Sequence, residues 1–118
     1  MVLRRRDLRQ RAQKFALRVI RHVAGFPRCS EGFVLGKQVI RSATSIGANY
    51  VEASAARSRG EFRSQVMVAL RECRETVYWL ELIKGSRLGE KEETELLIQE
   101  SQELAKILAT IAIKCQSK

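Results

Sequence analysis

The sequence predicts an all-α fold, an up-down antiparallel four-helix bundle, as a single domain over residues 1–118. Three observations support this prediction. Apolar residues recur with the helical period of 3.6 in four segments, turn-forming residues separate these segments, and no segment alternates as a strand does. Hydrophobic residues make up 45% of the 118 positions, which suffices for one core without disulfides or metal.

The first predicted helix spans residues 8–24 and ends before Gly25 and Pro27, after a basic N-terminal extension over residues 1–7. One side of this helix is apolar, and a second stripe along it is cationic. The apolar side contains Leu8, Ala12, Phe15, Val19, Ile20 and Val23, and the cationic stripe contains Arg4, Arg11, Lys14, Arg18 and Arg21.

The second predicted helix spans residues 35–56 and is rich in Ala, Ser and Gly. Gly47 lies in its interior, where glycine costs about 1 kcal/mol of helix propensity relative to alanine. We therefore expect a close contact between this helix and a neighbour at Gly47.

The third and fourth helices are predicted over residues 58–88 and 92–115. Ser58 and Glu61 form a capping-box pattern before Phe62. The third helix is apolar on two sides, so we expect its second side to contact another subunit. In the fourth helix, apolar and small residues recur at alternating spacings of four and three, as in a packed seam. These residues are Leu97, Ser101, Leu104, Leu108, Ile111 and Cys115.

The net charge of +9 is concentrated near the start of the chain, because residues 1–34 contain nine basic and two acidic residues. Such asymmetry is typical of a surface for nucleic acid or for an anionic membrane. The apolar stripe of the first helix is needed for the core, so we favour nucleic acid and expect no membrane partner. Few aromatic residues accompany the basic ones, which indicates backbone contacts with weak sequence preference. The candidate contacts are Arg4, Arg5, Arg6, Arg11, Lys14, Arg18, Arg21, Arg28, Lys37, Arg57, Arg59 and Arg63.

Two further groups of residues on the predicted helices are a candidate polar network and a candidate interface. Arg41, Asn49, Glu52 and Glu75 lie among apolar and small residues, which favours a structural polar network over a ligand site. Val68, Tyr78, Trp79 and Leu82 lie on the second apolar side of the third helix. They could belong to the core, to an oligomer interface or to a base-stacking platform, and we favour the interface.

No pattern for catalysis, cofactor binding or metal binding is present, so we expect a protein that is not an enzyme. His22 is the single histidine, and the chain contains no glycine-rich phosphate loop and no CxxC pair. The three cysteines, Cys29, Cys73 and Cys115, are expected to be reduced. Arg18 and Arg21 interrupt what would be the apolar region of a signal peptide, which predicts a cytoplasmic protein.

Residues 35–63, LGKQVIRSATSIGANYVEASAARSRGEFR, and residues 69–84, ALRECRETVYWLELIK, carry a family resemblance. The chain resembles the four helix bundle protein family over residues 12–115. That family includes proteins encoded by intervening sequences of large-subunit ribosomal RNA genes, and the accessory variability protein of diversity-generating retroelements.

The resemblance implies a ring-shaped homo-oligomer, typically a pentamer. For the retroelement members it also implies binding of nucleic acid and of a reverse transcriptase, which copies template RNA into mutagenised cDNA. The alternative is an intervening-sequence-type protein that acts as a protein-interaction module without a reverse transcriptase partner.

Overall fold

The computed structural model describes residues 5–116, which form four helices and no strand. These are α1 (Arg5–Ala24), α2 (Ser30–Ser54), α3 (Arg59–Gly85) and α4 (Lys91–Gln116). α2 packs extensively on α3 and α3 on α4, whereas α1 is held less closely by α2 and least closely by α4. The predicted four-helix, all-α fold is confirmed. The bundle measures 49 × 26 × 20 Å.

The helix boundaries differ from the predicted ones mainly at α2, which begins five residues before the predicted residue 35. Gly32 and Gly36 make this earlier start possible. A Cβ atom at Gly32 would lie 2.9 Å from the Pro27 carbonyl oxygen, and one at Gly36 would lie 2.7 Å from Cγ1 of Val23. The first turns of α2 therefore pass so close to Pro27 in the connection and to Val23 at the end of α1 that a side chain at Gly32 or Gly36 would force a neighbour to shift. α1 also begins earlier, at Arg5, so residues 5–7 of the predicted extension are helical.

The core contains the apolar stripes of all four helices. Leu8, Ala12, Phe15 and Val19 of α1 are fully buried, but Ile20 of the same predicted stripe is 39% exposed. Leu88 lies beyond the end of α3, yet it is buried and continues the apolar pattern of that helix. For this reason the pattern predicted a helix three residues too long.

Buried hydroxyl groups in the core are hydrogen-bonded, as buried polar groups must be. The Thr76 hydroxyl donates to Oγ of Ser42 at 2.8 Å, which joins α3 to α2. The Ser101 hydroxyl donates to the Cys73 carbonyl oxygen at 2.9 Å, which joins α4 to α3. α3 is thus tied to both of its neighbours through the interior.

Two side chains, Ser58 and Glu61, accept backbone N–H groups at the start of α3. The Glu61 N–H donates to Oγ of Ser58 at 3.0 Å, as the capping-box pattern predicts. The Glu61 carboxylate accepts at 2.7 Å from the N–H of Arg57, one residue before the N-cap. Residues 57–61 are therefore fixed by their own hydrogen bonds.

We expect Gly47→Ala to raise the free energy of unfolding by up to about 1 kcal/mol, because alanine has the higher helix propensity. A Cβ atom at Gly47 would lie 3.4 Å from Cβ of Ala12 on α1, an ordinary contact distance. The close approach predicted at Gly47 therefore leaves room for a methyl group. Urea unfolding measures the change, and a clear loss of stability would show that α1 and α2 lie closer than described.

Candidate nucleic-acid interface

In the predicted cationic stripe of α1, Arg11 and Arg18 form ion pairs with α4, whereas Lys14 and Arg21 are exposed to solvent. Arg11 binds Glu100 of α4 through two hydrogen bonds, Nε to Oε2 at 2.7 Å and Nη2 to Oε1 at 2.9 Å. Arg18 binds Glu93 in the same manner at 3.2 and 3.1 Å. The hydrogen bond to Glu100 raises the pKa of Arg11, although partial burial opposes this.

These two ion pairs change the interpretation of Arg11 and Arg18. They lie in the α1–α4 seam, where the helices pack least closely. Their guanidinium groups already have carboxylate partners, so a phosphate would have to compete with bidentate hydrogen bonds. We therefore reassign Arg11 and Arg18 from candidate nucleic-acid contacts to residues that hold α1 on α4.

The other candidate basic residues lie at separate places on the bundle. Lys14 and Arg21 are exposed on α1, and Arg28 and Lys37 are exposed on the α1–α2 connection and α2. Arg57 and Arg59 are exposed on either side of Ser58, at the other end of the bundle. Arg63 is half-buried, and its Nε donates to the Ala112 carbonyl oxygen at 3.2 Å. Arg4 lies outside the described residues; Arg5 and Arg6 fall in the first turn of α1.

Sequence reasoning missed four exposed arginines, Arg9, Arg71, Arg74 and Arg87. Arg9 lies on the side of α1 that faces α2, where it lines a cleft of about 250 Å³ with Ala12 and Gly47. It lies off the cationic stripe, so the helical period did not single it out. Arg71 and Arg74 are exposed on α3, and their spacing of three residues was the only available signal.

The predicted polar network forms around Arg41 but includes only one of its predicted partners. The Arg41 guanidinium binds the Glu75 carboxylate, and it lies 3.6 Å from Glu72. The Trp79 indole N–H donates to Oε2 of Glu75 at 3.0 Å. Burial, together with the nearby Glu75 charge, raises the pKa of Glu72, and Arg41 opposes this rise. The network therefore joins α2 to α3 and adds Glu72 and Trp79.

Asn49 and Glu52 do not belong to this network. The Asn49 amide donates to the Ser45 carbonyl oxygen at 2.8 Å, within its own helix. The Glu52 side chain is exposed to solvent. Both residues are on α2, but they are two and three turns away from Arg41.

Glu75→Ala is expected to destabilise the protein by about 1 kcal/mol, because it removes the partly exposed ion-pair partner of Arg41 and the acceptor of the Trp79 N–H. Glu52→Ala, a matched control on α2, is expected to change stability by less than about 0.5 kcal/mol. Thermal unfolding at constant pH measures both. Equal effects of the two substitutions would contradict the placement of the network.

The four predicted interface residues differ in exposure. Tyr78 is 55% and Leu82 38% exposed on α3, whereas Val68 and Trp79 are partly buried, with Trp79 packed against the core. Phe33 and Val34 at the start of α2 are also largely exposed, at 70% and 60%. Large apolar side chains therefore face solvent on α2 as well as on α3.

Burial shifts the pKa values of both His22 and Cys73. The His22 Nε2 lies 2.7 Å from the Thr94 hydroxyl of α4, and burial lowers the pKa of His22. Burial raises the pKa of Cys73 to about 12, so this thiol stays protonated at neutral pH.

Within residues 5–116, no cluster of His, Cys, Asp or Glu suited to a metal ion is present. No helix among the described residues is long and apolar enough to cross a membrane.

Comparisons with known proteins agree with this architecture. A family model described as 23S rRNA-intervening sequence protein matches residues 4–110. The chain is also similar to a crystal structure from Bacteroides thetaiotaomicron, described as a protein of unknown function from the S23 ribosomal protein family. The two share 36% sequence identity with a TM-score of 0.82, over 89% of this chain and 97% of that chain. No curated protein matches the chain.

Proposed function

Because the chain belongs to the 23S rRNA-intervening sequence protein family, we propose that it is a non-enzymatic homo-oligomer that binds the phosphate backbone of RNA or DNA. The observation that carries this proposal is the charge balance. With 22 basic and 13 acidic residues, nine cationic groups remain even if every carboxylate forms an ion pair. Basic proteins of this kind gain affinity for nucleic acids by releasing counterions from the phosphates.

The contacts are expected to be with phosphates and not with bases. Arginine and lysine side chains that reach phosphate oxygens position a protein on nucleic acid without reading its sequence. Among the described residues the largely exposed rings are Tyr78 on α3 and Phe33 on α2. Two rings on different helices give little support to a row of stacked bases. We therefore propose weak sequence preference.

Direct binding measurements test this function. Fluorescence anisotropy at low salt compares single-stranded RNA, duplex DNA and a peptide nucleic acid that has the same bases but an uncharged backbone. Binding to RNA or DNA, with none to the peptide nucleic acid, supports the proposal. Absence of binding to all three at low salt contradicts it, as does equal binding to all three.

Homo-oligomer formation, for which we propose a pentameric ring, is supported by the exposed apolar side chains of Tyr78 and Leu82. Leu82→Glu would place a charge in the interface and is expected to lower the native mass in light scattering. Ser64→Glu is the matched control, since Ser64 is exposed on the same helix and contributes no apolar area. A native mass that neither substitution changes would contradict an interface at Leu82.

The family resemblance implies a finer role. We propose that the oligomer acts in the cytoplasm as the accessory variability protein of a diversity-generating retroelement, and that it binds a reverse transcriptase together with template RNA. The test is a search for a reverse transcriptase gene beside this one, followed by pull-down of its product. The alternative is a protein-interaction module without such a partner, which the exposed Phe33 and Val34 favour. A chromosomal neighbourhood without a reverse transcriptase gene would favour the alternative.

A further inference from the structure

The two ends of this antiparallel bundle differ in net charge. One end, here called the basic end, is formed by residues 5–9, 52–63 and 112–116, where α1 and α3 begin and α2 and α4 finish. It contains seven basic and three acidic residues. The opposite end, residues 21–31 and 81–95, contains five basic and six acidic residues. Three stretches that are far apart in sequence thus give the basic end its positive charge.

Contacts between the helices show that these three stretches meet. Nε of Arg63 donates to the Ala112 carbonyl oxygen at 3.2 Å, which places the start of α3 against the last turns of α4. Arg57, Arg59 and Cys115 line one cleft of about 350 Å³, so the α2–α3 connection borders the end of α4. Arg9 and Val51 line another cleft, of about 250 Å³, so the start of α1 borders the last turn of α2.

The exposed arginines at this end are held on an ordered segment. Arg57 and Arg59 flank Ser58, whose hydroxyl caps α3 by accepting the Glu61 N–H at 3.0 Å. The Glu61 carboxylate is engaged by the Arg57 backbone N–H at 2.7 Å. Because these hydrogen bonds order the backbone of residues 57–61, less backbone entropy is lost when the segment binds a ligand.

By contrast, the acidic residues of the opposite end compensate the cations near them. Glu93 binds Arg18, and Glu95 lies 2.9 Å from Nζ of Lys84. A polyanion that approaches this end meets six carboxylates and five cations, a net negative charge. Electrostatic attraction therefore favours approach from the basic end.

From this charge distribution we infer that the phosphate backbone of the nucleic acid binds at the basic end, through Arg9, Arg57 and Arg59, and not along the α1 stripe. The inference rests on the proposed nucleic-acid binding and assigns its location. In a ring whose subunits point the same way, the basic ends would lie on one rim, where a strand could contact several subunits in succession.

Two triple variants with the same change in net charge test this location. The basic-end variant is Arg9→Gln, Arg57→Gln and Arg59→Gln, and the control variant is Arg21→Gln, Arg28→Gln and Arg87→Gln at the opposite end. All six side chains are exposed. Binding to single-stranded RNA and to duplex DNA is measured for both variants and the unchanged protein at several salt concentrations, after thermal unfolding has shown that each variant folds.

The basic-end variant is expected to bind at least tenfold more weakly at low salt than the control variant. Its slope of log K against log salt on duplex DNA should be less steep by about 2–3, since each lost phosphate contact reduces the slope by about 0.9. The control variant should keep the slope of the unchanged protein. If the basic-end triple variant does not fold, the double variant Arg9→Gln with Arg57→Gln replaces it, with an expected slope change of about 2.

Equal losses in both variants would overturn the location and leave the proposed function standing, because net charge and not position would then set the affinity. An unchanged slope in the basic-end variant would also overturn it. If the unchanged protein binds neither RNA nor DNA at low salt, the proposed function itself fails. Binding to anionic lipid vesicles without binding to RNA would overturn both.

Discussion

Replacing Phe15 with alanine is expected to lower the free energy of unfolding by about 3–5 kcal/mol, the range typical of truncating a buried aromatic residue. Phe15 is 1% exposed and lies midway along α1. It is the largest side chain that this helix buries in the core. The cavity left by its ring would be lined by residues of several helices that can relax only partly.

The effect of Phe15→Ala should exceed that of breaking the ion pairs of α1. Arg11–Glu100 and Arg18–Glu93 are partly exposed, so each is expected to contribute about 1 kcal/mol or less. Burial of the apolar stripe is therefore what attaches α1 to the bundle. Leu17→Ala is a matched control on the same helix, because Leu17 is 42% exposed.

Urea unfolding followed by far-ultraviolet circular dichroism measures both variants. A change of less than about 1 kcal/mol in Phe15→Ala, or an equal change in Leu17→Ala, would contradict the described packing of α1. Loss of only the helical signal that belongs to α1 would show instead that α1 unfolds separately from the other three helices.

The number of helices and most of their buried faces could be predicted from the sequence, because burial imposes a period of 3.6 on apolar residues. The start of α2 could not. Phe33 and Val34 are apolar but exposed, and the two glycines nearby are unusual inside a helix. Their fit depends on how closely Pro27 and Val23 approach, which is a property of the tertiary structure.

The candidate site was less predictable than the fold. The period correctly places Arg11 and Arg18 on one side of α1, but it cannot show that this side meets Glu100 and Glu93 of α4. The helical period likewise places Arg41 and Glu52 on one side of α2, three turns apart, and only Arg41 meets a carboxylate of α3. Pairing between helices decides which charges remain available.

The second large effect is expected in the salt dependence of nucleic-acid binding. If each subunit neutralises about three phosphates, log K should fall with log salt at a slope near −2.7 on duplex DNA, or about 40-fold in affinity between 50 and 200 mM salt. Arg9, Arg57 and Arg59 supply three exposed cations at the basic end. Assembly into a ring that contacts one duplex with several subunits would steepen this slope.

The salt titration of the unchanged protein on duplex DNA, followed by fluorescence anisotropy, tests the account most directly. The account predicts tight binding at low salt and a loss of about 40-fold or more between 50 and 200 mM. Binding that is absent at low salt, or that hardly changes across this range, would contradict it. The positive charge would then serve solubility or docking to another protein.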